Sequence, residues 1–174
     1  MKKLALLSAL AVLACIGQLA HVQASNKHEQ PFVASGQNKA EDSTCSNATL
    51  EGVYGFSISG TRPAPAPPSG IPNYVPGTIE NVIGVNTRTF DGAGSFTQID
   101  NVKGSLSGVP FPNRPGSGPY TVNPDCSGTI TLFNPGNPFP LVIDIVVVDH
   151  GREVSGVVVS PQTVMISTSG RKVK

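Results

Sequence analysis

The sequence predicts an all-β protein, a single eight-stranded antiparallel barrel of up-and-down order that follows a leader and a polar arm. Three observations predict it. After the leader the strand period of two recurs, and no long window shows apolar residues three and four apart. The 19 glycines and 16 prolines are too many for a helical domain of this length. Long proline-rich connections (Thr61–Gly77, Gly108–Pro119, Asn134–Pro138) alternate with tight polar turns (Asp91–Gly94, Asn123–Cys126, Asp149–Arg152). Successive connections of a meander fall at opposite ends, so one end collects the long loops and the other the turns. An even strand number leaves the first and last strands antiparallel, so the sheet can close and lose its edges. An open sandwich is the alternative.

Met1–Ala24 reads as a secretory signal peptide. Lys2 and Lys3 form its basic start, and Leu4–Ala14 is an apolar run too short to span a bilayer. Val22-Gln23-Ala24 sets cleavage before Ser25, for a secreted or periplasmic product. The rival is a lipoprotein anchored at Cys15, where Val12-Leu13-Ala14-Cys15 loosely resembles a lipobox. Leu13 and the apolar Ile16–Ala20 are atypical of that motif. No later run is long and uniform enough for a transmembrane helix. Loss of Lys2 and Lys3 leaves ten basic and eleven acidic residues, a net charge of −1. That sparse balance carries no electrostatic footprint for nucleic acid or an anionic membrane. Residues 25–44 are polar and aperiodic, a flexible N-terminal arm. The barrel domain spans 45–170, and 171–174 form a C-terminal tail.

The strands are expected in order. Leu50–Gly60 places Leu50, Tyr54, Phe56 and Ile58 on one face and Glu51, Ser57 and Ser59 on the other. Thr78–Phe90 is rich in Ile, Val and Thr, and Asp91-Gly92 supplies the tight hairpin into Gly94–Leu106. Pro119–Asn123, Ser127–Phe133, Phe139–Asp149, Glu153–Ser160 and Thr163–Ser169 complete the eight. Cys45 precedes the first strand and Cys126 sits in the turn between the fourth and fifth strands, both at the tight-turn end. In an oxidising compartment this pair is expected to be a disulfide, with two buried free thiols as the alternative.

Three stretches carry a family resemblance. They are Cys45 with Leu50-Glu51-Gly52-Val53-Tyr54-Gly55-Phe56, then Phe90-Asp91-Gly92-Ala93-Gly94-Ser95-Phe96, then Tyr120-Thr121-Val122-Asn123-Pro124-Asp125-Cys126-Ser127-Gly128-Thr129. Together they resemble the allene oxide cyclase barrel-like proteins, small and mostly bacterial secreted chains. The resemblance covers roughly Cys45 to Ser169 and implies a calycin-like barrel. It implies no cyclase activity, because no catalytic position of the plant enzymes maps onto this chain.

Reactive chemistry is sparse. His150 is the one histidine in the domain, and it lies in a polar turn. No nucleophile elbow, phosphate loop or Cys/His metal spacing occurs, so no cofactor and no metal are expected. Asp91 is a single carboxylate, too few donors for a calcium site. Asp144 is the weak catalytic candidate. It interrupts the apolar run Leu141–Val148, and inside a lumen it would be a desolvated acid suited to proton transfer. The plainer expectation pairs it with Arg88 or Arg152, or leaves it in water. Tyr54 and Phe56 are the weak ligand-binding candidates, with core filling as their plainer role. The strand Leu141–Val148 is apolar on both faces, so a homo-oligomer or the arm could cover its outer side. These features favour a secreted, non-enzymatic barrel that binds a small apolar ligand or a surface partner at a proline-rich mouth. An isomerase or cyclase acting on a lipid-like substrate is one rival; a structural envelope or adhesion protein is another.

Overall fold

A computed structural model describes residues 44–65 and 75–173. The leader, Cys15, nearly all of the arm and the middle of the first proline-rich loop lie outside the described residues. Eight strands close into one antiparallel barrel in sequence order. They are β1 (Gly52–Pro63), β2 (Ile79–Phe90), β3 (Ser95–Gly104), β4 (Arg114–Val122), β5 (Ser127–Leu132), β6 (Leu141–Val148), β7 (Glu153–Ser160) and β8 (Met165–Lys172). Closure comes from β1 pairing with β8 in an antiparallel register that runs from Tyr54↔Lys172 to Thr61↔Met165. No helix among the described residues is long and apolar enough to cross a membrane.

Alternation does the sorting. In β1, Tyr54 and Phe56 turn inward and Val53, Gly55 and Ser57 outward. In β2, Glu80, Val82, Asn86, Arg88 and Phe90 are all buried, so one inward face carries both core and charge. The tight-turn end is packed solid. Phe90 meets Tyr54 edge-on at 5.4 Å between ring centroids and Tyr120 at 4.9 Å. Such edge-to-face pairs add to the gain from burial alone. Leu50 and Val154, both fully buried, complete this plug.

The turns at this end are held by side chains. Asp91 Oδ1 accepts the backbone N–H groups of Ala93, Gly94 and Ser95 at 2.8–2.9 Å. These bonds hold the exposed Asp91 carboxyl below the usual range. The segment before β1 folds across the barrel base as a short 3₁₀ turn, Asn47–Leu50. Asn47 Oδ1 accepts the Val122 N–H at 2.8 Å, and its carbonyl accepts the Tyr120 hydroxyl at 3.0 Å. The expected bridge joins Cys45 to Cys126, with Cα atoms 5.0 Å apart.

Several boundaries differ from the sequence reading by a few residues; β1, for instance, runs on to Pro63, into the loop expected from Thr61. Arg114–Pro119 is the first part of β4 rather than loop, pairing with β3 from Asp100↔Arg114 to Ser95↔Pro119. Its inward positions include Gly116 and Gly118, so the period of two is written without apolar side chains. Gly118 is needed there, because a Cβ would overlap the Thr131 carbonyl of β5. Arg171 and Lys172, expected as tail, are strand, since they pair with β1. Leu50, expected as strand, ends the 3₁₀ turn instead.

Candidate functional site

The long-loop end of the barrel is open where the other end is filled. It holds a cavity of about 520 Å³. The strands supply an apolar wall through Ile58, Val102, Leu132, Ile143, Val158 and Ile166. The mouth carries Pro65, Phe111, Pro135, Phe139 and Pro161, one or more from each of the four connections at that end. Phe111 and Phe139 are more than half exposed, so the rim presents aromatic surface to solvent.

The floor is polar and charged. Arg88, only 1 % exposed, lies between the cavity and the aromatic plug. Its guanidinium carbon stands 4.6 Å from the Phe56 ring centroid and 5.0 Å from that of Phe96, so π-faces support the cation from below. Its Nε and Nη2 both donate to Gln98 Oε1, at 3.0 and 2.7 Å. Gln98 Nε2 donates in turn to Asp100 Oδ2 at 2.9 Å. Asp100 is already committed, because Arg114 donates to both its oxygens at 3.0 Å. Two guanidiniums therefore share one carboxylate, and one positive charge is left over. Burial pushes Arg88 down to about 10, against the pull of Asp100, so it is still protonated at neutral pH.

A second cluster stiffens the mouth. Arg62 Nε donates to Glu80 Oε1 at 3.0 Å. Glu80 Oε2 also accepts the N–H groups of Ser107 at 2.9 Å and Leu106 at 3.1 Å, and the Ser107 hydroxyl donates to Oε1 at 2.8 Å. Burial alone would push the Glu80 carboxyl up. The bonds from Ser107, Arg62 and Leu106 outweigh it and hold the group below its ordinary value. The start of the β3–β4 connection is thus pinned to β2.

Polar satisfaction fails in one place. Among the described residues, the buried side-chain polar atoms without a hydrogen-bond partner belong to Asn86, Arg88, Asn134 and Thr168. All four residues line this cavity. Buried polar groups are nearly always partnered, so their concentration here marks the cavity as unlike the rest of the interior.

Asp144, the catalytic candidate, lies outside the barrel. On β6 the inward positions are taken by Ile143, Ile145 and Val147, so period two turns Asp144 to solvent. Its carboxylate receives the Thr129 hydroxyl at 3.4 Å on the outer face. Neither expected partner serves it: Arg88 is inside, and Arg152 pairs with Asp149. Tyr54 and Phe56 are inward, as the alternation requires, but neither lines the cavity. Tyr54 sits in the plug, where its hydroxyl donates to the Gly151 carbonyl. Burial, then the nearby Tyr120, raises its hydroxyl to about 12. Phe56 lies beneath Arg88 as its support. His150 is exposed in the β6–β7 turn.

Sequence reasoning named Arg88 only as a cross-strand partner for Asp144. The signal for its true place was present. Glu80, Asn86 and Arg88 are in phase with Phe90, and Gln98 and Asp100 are in phase with Phe96. Fold and site together define a closed antiparallel barrel with a loop-rimmed internal cavity, apolar in its walls and cationic at its floor. No protein-family model, curated protein or solved structure matches this chain.

Proposed function

We propose that this chain is a secreted, non-enzymatic barrel that holds a small, largely apolar ligand in its loop-end cavity. The observation that carries the reading is the cavity itself. Its volume of about 520 Å³ falls in the range of small-molecule sites, much of its wall is apolar, and its buried unpartnered polar atoms gather there. The Cys45–Cys126 bridge suits an oxidising compartment and so supports secretion. Exposure of Asp144 takes away the residue on which the isomerase or cyclase alternative stood. The resemblance to allene oxide cyclase barrel-like proteins accords with a barrel that encloses a guest, although fold likeness alone does not establish a function.

Titration with a neutral, environment-sensitive apolar dye tests this reading. Fluorescence is expected to rise and saturate at a single dye per chain. Ile143→Trp, which fills the cavity from its wall, is expected to abolish that signal while the protein stays folded. A signal that does not saturate, or that persists in Ile143→Trp, would place the dye on the outer surface and leave only surface roles.

A further inference from the structure

Resting on the reading of this barrel as a ligand carrier, we infer that the guest is an amphiphile with a carboxylate head, seated on Arg88 with its apolar tail toward the mouth.

The floor fixes the sign of the head. Arg88 Nη1 has no hydrogen-bond partner, while Nε and Nη2 are engaged by the neutral Gln98. The only carboxylate in the relay, Asp100, is taken by Arg114 from two sides. A purely apolar guest would leave charged N–H groups facing hydrocarbon, a costly arrangement. A cation would meet like charge. A monoanion supplies the missing charge, and a carboxylate oxygen suits a guanidinium donor. Thr168, whose buried Oγ1 is also unpartnered, is a second polar residue lining the same space.

The floor also fixes the orientation. Below Arg88 lie Phe56, Phe96 and the packed plug, which leave no room for a chain. Above it Leu132, Ile143, Val158 and Ile166 form an apolar side of the wall, which suits a hydrocarbon tail, while Asp100 and Arg114 are occupied with each other. The prolines and aromatic rings at the mouth offer the tail end apolar surface, and Arg62 there is already paired with Glu80.

Displacement of the neutral dye by decanoate and by decanol tests the inference, because the pair shares a tail and differs in the head. Wild-type protein is expected to bind decanoate at least about tenfold more tightly than decanol, the scale of a hydrogen bond to a buried charge. Arg88→Met is expected to lose the preference for decanoate, so that the ratio of the two affinities falls to about one. Arg88→Lys, which keeps the charge but not the fork, is expected to retain part of the preference and serves if the Met variant does not fold. Equal affinities in the wild type, with the dye displaced by both, would overturn the anchor and assign the polar floor to bound water, while leaving the carrier reading intact. An undiminished preference in Arg88→Met would also overturn it. If the dye itself never binds, the carrier reading falls and the inference falls with it.

Discussion

Replacing both cysteines, Cys45→Ser with Cys126→Ser, probes how the barrel is held at its closed end. The two residues are 81 apart in sequence, and the loop they close contains β1 through β4. In the chain-entropy account a loop of that length stabilises the fold by about 4.5 kcal/mol at 25 °C. Native contacts that survive the change are substantial. Cys45 N–H donates to the Pro124 carbonyl at 3.2 Å, Asn47 clamps Val122, and Leu50 remains the buried plug. The cost should therefore arise in the unfolded chain, which becomes free to expand. Urea unfolding under non-reducing conditions is the assay. The double variant is expected to unfold cooperatively at a lower midpoint, with a steeper slope and a fitted loss of about 3–5 kcal/mol. That is a large share of the stability of an ordinary domain. A loss below about 1 kcal/mol with an unchanged slope would refute the reasoning. Two titratable thiols in the denatured wild type would refute it more directly.

Two further predictions concern titrating groups. The Tyr54 hydroxyl, pushed up to about 12, contributes stability that is complete below the unfolded value near 10 and is lost as pH rises through about 12. Tyr54→Phe should flatten that alkaline limb, followed by tyrosinate absorbance and unfolding, at a cost of about 1–3 kcal/mol at neutral pH for the lost bond to Gly151. Glu80 is displaced downward, so its contribution is present above the ordinary carboxylate range and is lost as pH falls through its folded value. Glu80→Gln should lower stability at neutral pH and weaken its dependence on acid; thermal unfolding at a series of pH values reads both, and an unchanged acid limb would contradict the assignment.

Much of the architecture was legible because it rests on local rules. Asp91-Gly92 announces a hairpin, the period of two from Tyr54 to Ile58 sets a face, and loop length alone separated the two ends of the barrel. The bridge followed from that end assignment. The first half of β4 was not legible, because Arg114-Pro115-Gly116-Ser117-Gly118-Pro119 has the composition of a loop. It is strand because β3 supplies the partner and β5 approaches so closely that only glycine fits at residue 118.

The site was less legible, for a different reason. Charged residues on a strand suggest a solvent face, and Asp144 is the conspicuous acid in an apolar run. On β6 the alternation sends that acid outward. On β2 the same alternation sends Arg88 inward beside Asn86 and Glu80. Phase relative to Phe90, rather than the identity of the charged residue, decides which side it faces. The relay through Gln98 and Asp100 to Arg114 joins three strands and depends on register, which no local pattern encodes.

The most direct measurement is a nuclear magnetic resonance titration of isotope-labelled protein with decanoate. The account predicts that the Arg88 side-chain N–H signals and the methyl groups of Leu132, Ile143, Val158 and Ile166 shift together and saturate. Shifts confined to the outward Val146 and Val157, with the inner signals unmoved, would contradict it.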